Sequence, residues 1–310
     1  MSQIKNKQKK ILIWSGLVGT LMIFTLGALL VVKMVTGMGP RSLARSTLNI
    51  VKAVEDNSSI NQNTAGNFDN IIFLHHSVGN HLIEQGSVRE LLSQAGYNFW
   101  DHDYNWHGLR DSQGDYTGYG YNVPYDNTDP DGLARIFNQR EYSAPLNTFS
   151  GLLQHDVIIT KSCFTTSNIT SEDQLEQKKS WYLEMRDKMD EHPEKVFILV
   201  TQPPLNPAET NSEEAARVRM LANWLKSPEF LDGHPNVFTF DFYTKLAEEN
   251  PNASDYNMLR QDFRNGSDSH PNKLANEAIA PLFVDFVIDT IEFYRSSYQN
   301  SAIDTVKNNP

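Results

Sequence analysis

One cysteine, Cys163, in 310 residues leaves no intramolecular disulfide framework. An apolar core must hold the fold, and a chain of this length can build one. Long uncharged runs are equally scarce. One stretch qualifies, "ILIWSGLVGTLMIFTLGALLVV" from Ile11 to Val32, which at ~1.5 Å per residue reaches ~33 Å, enough to cross a bilayer. No acidic residue precedes it, whereas Lys5, Lys7, Lys9 and Lys10 do. That bias places the N-terminus in the cytoplasm and everything after Lys33 outside. A cleaved signal peptide is the rival reading, but "VVKMVTGMGP" offers no small-x-small cleavage site. Beyond residue 33 the chain is short of positive charge, with 22 basic against 38 acidic side chains, a net of −16. Such a surface repels phosphate backbones, so nucleic acid is not an expected partner.

The chain reads as a cytoplasmic basic segment over 1–10, a transmembrane anchor over 11–33 and a polar linker over 34–68. A folded domain follows over 69–298, then a disordered tail over 299–310. No internal repeat is visible. Within the domain, "NIIFL" (70–74), "DVIITKS" (156–162), "KVFILVT" (195–201) and "NVFTFDF" (236–242) are β-branched or aromatic runs of strand length. Helical stretches alternate with them, roughly 80–95, 172–190, 212–226 and 273–296. Near-continuous apolar strands alternating with helices predict an α/β fold, a parallel sheet covered on both faces with its site beyond the carboxyl ends of the strands. Residues 97–150 depart from the pattern. They are crowded with Tyr, Trp, Asp and Gly, and read either as a carbohydrate-binding insert, with rings to stack on sugar faces and carboxylates to accept hydroxyl hydrogens, or as a structural lid.

Ser77 stands where the first strand should end, in "FLHHSVGN". There it would meet N–H groups of the following helix that can stabilise an oxyanion, with Gly79 easing the turn. The alternative is a helix N-cap. Near the other end, "NGSDSHPN" puts His270 in a loop with Asp268 two residues before it, ahead of the last helix. An imidazole oriented by a carboxylate is what an attacking serine needs; here the alternative is helix capping by Ser267 or Asp268.

The order strand–serine, strand–asparagine, terminal Asp/His resembles the SGNH (GDSL-like) hydrolase superfamily over about residues 70–296. The resemblance implies a three-layer α/β/α sandwich with a mainly parallel, flavodoxin-like sheet, and esterase, lipase, deacetylase or acyltransfer chemistry without a cofactor. His75, His76 and Ser77 stand where that family has Gly-Asp-Ser. Asn168, in "VIITKSCFTTSNI", matches the oxyanion asparagine at a longer spacing. Gly108, in "NWHGLR", matches the glycine block, and Asp268 lies one residue nearer His270 than the family's acid.

Around this catalytic set, His76, Trp106 and Gln202 are the expected pocket residues, with "TQPPLNP" shaping the rim; one of the adjacent histidines lines the pocket and the other packs beneath it. His75, His76, His81, His102 and His107 with Asp101 and Asp103 form a competing metal-binding reading. "NTDPDG" (127–132) is either a calcium loop or a plain turn, and Cys163 either a small buried residue or a reactive thiol. The expectation is a single-pass membrane-anchored serine esterase or O-acyltransferase acting on an acylated carbohydrate or another small ester. A catalytically inactive binding module and a metal-assisted hydrolase are the alternatives.

Overall fold

The computed structural model describes residues 66–308 as a continuous stretch, with side chains through Tyr298. Almost all of the expected anchor over 11–33 and of the linker lies outside the described residues. Among those described, no helix is long and apolar enough to cross a membrane.

Six strands form one sheet: β1 (Asn70–Leu74), β2 (Asn98–His102), β3 (Leu109–Arg110), β4 (Val157–Lys161), β5 (Val196–Val200) and β6 (Val237–Phe240), in the order β3-β2-β1-β4-β5-β6. All pairings are parallel except β2 with β3. The five parallel strands therefore run 2-1-3-4-5, a doubly wound order whose crossovers reverse direction beside β1. Ile71 of β1 pairs with both Phe99 and Val157, so β1 lies at the centre of the reversal.

Strand alternation sends side chains to two cores. Ile72, Leu74, Ile158 and Phe197 pack with α5 (Glu172–Asp190) and α6 (Ser212–Leu225) on one face. Ile71, Phe73, Ile159 and Ile198 pack on the other with α1 (Ser77–Gly86), α2 (Val88–Gln94) and α9 (Lys273–Asn308). Each fully buried Leu or Phe contributes roughly 1.5–3 kcal/mol, and β1, β4 and β5 are buried along their whole length. The remaining helices are α3 (Pro130–Phe137), α4 (Thr148–Leu152), α7 (Pro228–Leu231) and α8 (Phe242–Leu246).

Caps explain several boundaries. The Ser171 side chain accepts from the Gln174 N–H at the start of α5, and the Asn211 side chain from Glu213 and Glu214 at the start of α6. The single helix expected over 80–95 is two. Ser87 adopts a left-handed conformation (φ 56°), which ends α1 and starts α2. At the other end α9 continues to Asn308, through most of the tail expected to be disordered.

The expected insert is also corrected. β2, paired in full with β1, lies inside residues 97–150, followed by β3, α3 and α4. Its sequence, "NFWDH", hides its burial because Asp101 and His102 are both 0% exposed.

Candidate active site

β1 ends at Leu74, and two residues later the chain turns into α1. His76 occupies the N-cap position and makes no capping bond through its side chain. Ser77 is the first helical residue, and its Oγ lies 2.8 Å from His270 Nε2. His270 Nδ1 in turn lies 2.8 Å from Asp268 Oδ1, which also accepts the His270 backbone N–H at 3.1 Å. Residues 193 positions apart thus form one hydrogen-bonded relay. Helix capping at the second site falls instead to Asn272, whose Oδ1 accepts the Ala275 N–H at 3.0 Å. Burial pushes the Asp268 carboxyl up, but the bonds from the His270 ring and backbone outweigh it and hold the group below the usual carboxylate range.

The His270 loop is held from behind. The Asn206 backbone donates to Ser269 Oγ at 2.9 Å, and its side-chain amide donates to the carbonyls of Gly266 and Asp268 at 3.0 and 3.1 Å. The "TQPPLNP" loop thereby anchors the histidine rather than lining the cavity. The His270 ring sits edge-on to Phe164 at 4.8 Å and 5.4 Å from the ring of His81. His81 is held below the ordinary histidine value by burial and then by the charge of His270.

The adjacent histidines separate as the strand geometry requires. His76 stacks on Tyr104 (4.2 Å, 17°) and lines the cavity, while His75 is fully buried beneath the turn. His75 Nδ1 lies 2.9 Å from the His76 carbonyl oxygen, and Nε2 lies 3.0 Å from Asp101 Oδ2. Asp101 also accepts from Arg89 of α2 and from Arg110 Nε of β3, the latter at 2.8 Å. Arg110 then reaches α1, bonding Asn80 at 2.8 Å and pairing with Glu84. Burial alone would raise the Asp101 carboxyl, but the His75 hydrogen bond and charge, then the two guanidinium groups, bring it down to about 2. The network ties β2, β3, α1 and α2 to the peptide that enters Ser77. Gly79 serves the same packing, because a Cβ there would lie 2.4 Å from that of His75.

A cavity of about 320 Å³ opens over the relay. It is lined by Ser77, His270, Cys163 and Phe164, by His76 and Tyr104, and by Asp126, Asn127, Thr128 and Asp129, with His76 Nε2 3.7 Å from Asp126 Oδ1. Cys163 Sγ lies 3.7 Å from Ser77 Oγ. Burial lowers His76 to about 4, against the opposing charge of Asp126, so its ring is neutral at physiological pH. Asp129 is fixed by the hydroxyls of Thr165 and Thr166, at 2.8 to 2.9 Å. "NTDPDG" is a turn into α3, with Asn127 Oδ1 accepting the Asp129 N–H at 2.7 Å.

Four expected site residues lie elsewhere. Asn168 is exposed and lines a neighbouring depression with Leu205 and Glu209 rather than the cavity over Ser77. Gly108 has a left-handed conformation (φ 85°), and its N–H is spent on the Tyr104 carbonyl at 2.8 Å, so it offers no oxyanion donor. Gln202 is fully buried and its amide donates to the Val218 carbonyl at 3.1 Å. Trp106 stands outside the cavity, 67% exposed. Conversely, Tyr104, Asp126, Thr128, Asp129, Cys163 and Phe164 were not expected on the cavity wall. The aromatic and acidic composition of 97–150 was the one signal for the first four.

Three members of the histidine-rich set bond to other partners. His102 Nδ1 donates to the Asp103 carbonyl at 2.8 Å while its Nε2 accepts the Tyr121 N–H at 3.0 Å, and His107 Nδ1 lies 2.7 Å from Asp103 Oδ2. Among the described residues, no three His, Cys, Asp or Glu side chains converge as a metal-binding group.

Searches against protein families and against curated proteins returned no match. Two solved structures are similar at low identity. One, from Bacteroides fragilis NCTC 9343 and provisionally named an acylhydrolase, aligns with 78% of this chain and 97% of its own, at 12% identity and a TM-score of 0.46. The other, a gut microbial diltiazem-metabolizing enzyme, aligns with 70% of this chain and 46% of its own, at 11% identity and a TM-score of 0.39.

Proposed function

We propose that the protein is a serine esterase or O-acyltransferase of SGNH type, acting on O-acyl groups of a carbohydrate. The observation that carries the reading is the Ser77–His270–Asp268 relay, with both links at 2.8 Å, opening onto the cavity. Ser77 Oγ attacks the ester carbonyl and gives its proton to His270 Nε2, while Asp268 orients and stabilises the imidazolium. The first-turn N–H of Ser77, which has no acceptor within the helix, is the donor this reading assigns to the developing oxyanion, at the cavity that Ser77 shares with Cys163. Collapse breaks the ester C–O bond, and the departing alkoxide takes the proton from His270. Water or a sugar hydroxyl, deprotonated by the same histidine, then releases the acyl group from Ser77.

The strand order and the position of the serine after β1 support the SGNH-type reading. The stacked His76–Tyr104 pair, in one cavity with Asp126 and Asp129, supports a polyhydroxylated substrate. Membrane attachment through residues 11–33, with the domain outside the cytoplasm, rests on the charge pattern of the N-terminus. Convergence of Ser77 and His270 disfavours the inactive-module alternative.

Hydrolysis of p-nitrophenyl acetate by the purified protein tests the reaction, with Ser77→Ala and an EDTA-treated sample alongside. Activity lost in the alanine variant and kept in EDTA supports a serine mechanism. Activity lost in EDTA and kept in Ser77→Ala contradicts it.

A further inference from the structure

We propose that the cavity continues outward as a prebuilt aromatic platform, formed by Tyr104, Trp106, His107 and Tyr116, that seats a neutral polysaccharide chain. The inference rests on the esterase reading and names the size and charge of its substrate.

Trp106 and Tyr116 are 67% and 48% exposed. Large aromatic rings left in water together mark an interaction surface more often than rings exposed singly do. These are continuous with the cavity. Tyr104, stacked on His76 in the cavity wall, lies 6.0 Å from Trp106. Trp106 lies 3.6 Å from His107, and His107 5.4 Å from Tyr116, each ring within 36° of its neighbour. Whatever rests on Trp106 therefore adjoins what occupies the catalytic cavity.

The platform is held from beneath. Asp103, 3% exposed, fixes the His107 ring at 2.7 Å, and Trp106 lies against that ring. Arg110, bonded to Asp101, sits 5.5 Å from the centre of the Tyr116 ring. Asn105 pins the loop to the segment 123–126, donating to the Val123 carbonyl at 2.8 Å and, through its backbone, to Asp126 at 2.9 Å. Rings already immobilised lose little freedom when a ligand stacks on them.

Charge and polarity select the occupant. No lysine or arginine is among the residues lining the cavity, and Asp126 and Asp129 carry negative charge there. An acidic polysaccharide is repelled. Four consecutive polar residues in the wall, including the buried Thr128 hydroxyl without a protein partner, do not suit a fatty chain. Sugar rings offer apolar faces to the aromatic rings and hydroxyls to the carboxylates.

Calorimetry with the neutral β-linked hexaoses of glucose, xylose, mannose and N-acetylglucosamine tests this, with polygalacturonate as the acidic chain and dodecylphosphocholine as the lipid-like probe. At least one hexaose should bind, and Trp106→Ala and Tyr116→Ala should each weaken it by about tenfold. Polygalacturonate should not bind. No hexaose bound, binding undiminished in both variants, or a preference for polygalacturonate or the alkyl chain overturns the proposal. Release of p-nitrophenol from p-nitrophenyl acetate, measured on the same preparation, separates the two readings. Binding without ester cleavage refutes the esterase and leaves the platform standing, while cleavage without binding does the reverse.

Discussion

Asp268 Oδ1 holds His270 at two points, the ring Nδ1 at 2.8 Å and the backbone nitrogen at 3.1 Å. One oxygen therefore fixes both the loop and the imidazole tautomer that leaves Nε2 free to accept from Ser77. Removing the charge while keeping the shape should damage catalysis and not folding. Asp268→Asn should reduce kcat by roughly 10³- to 10⁴-fold with little change in KM. Steady-state kinetics on p-nitrophenyl acetate would check this, and a loss smaller than tenfold would show that another group orients His270.

The correction to the oxyanion set gives a second test. Asn168 lines a different depression, so Asn168→Ala should leave kcat within about twofold. A true oxyanion donor would cost ~10²–10³-fold, and a loss of that size would return Asn168 to the site.

Gly108 matters for the turn rather than for the reaction. Its φ of 85° is left-handed, and an added Cβ would lie 2.3 Å from the Tyr119 carbonyl oxygen. Gly108→Ala should lower stability by about 2 kcal/mol or more, read from urea unfolding. An unchanged midpoint would mean that the turn relaxes freely.

Asp101 sits fully buried among His75, Arg89 and Arg110. Removing its charge strands two guanidinium groups in the interior. Asp101→Asn should destabilise the fold by roughly 3–5 kcal/mol and, by loosening the turn into Ser77, reduce kcat in whatever fraction remains folded. A change under about 1 kcal/mol would show that the network relaxes into water.

Acid should destabilise the protein in two stages. Burial lowers His102 to about 4 and His155 to about 3, both fully enclosed. Between pH 6.5 and those values the unfolded chain binds protons that the native chain does not. Stability falls with decreasing pH by about 1.4 kcal/mol per unit for each histidine. Asp101, depressed to about 2 in the fold, adds stability above its unfolded value near 3.8 that is lost as pH falls from there toward 2. Denaturant midpoints from pH 7 to 4 should decline, and His155→Gln should flatten the slope. A flat profile in the parent protein would contradict the neutral burial of both rings.

The relay was legible in the sequence because each member carried a local cue: a serine at the end of an apolar strand, and a histidine between an acid and a proline ahead of a long helix. Gly108 and Gln202 were misplaced because spacing along a chain does not reveal which N–H or amide is already bonded, and Asn168 because spacing does not reveal which depression an exposed side chain lines. The Gly108 N–H is taken by Tyr104, and the Gln202 amide by Val218. β2 escaped notice for a related reason. Asp101 and His102 are buried by partners on α2, on β3 and at Tyr121, which no strand-length pattern contains. The other parallel strands, β1, β4, β5 and β6, built of apolar or aromatic runs, were readable at once.

The central claim is that Ser77 is an activated nucleophile. Treating the purified protein with a fluorophosphonate and mapping the adduct by peptide mass spectrometry tests it most directly. The account predicts a single phosphonyl adduct on the peptide containing Ser77, lost in Ser77→Ala and strongly slowed in His270→Ala. A folded protein that stays unlabelled, or an adduct on another residue, would contradict it.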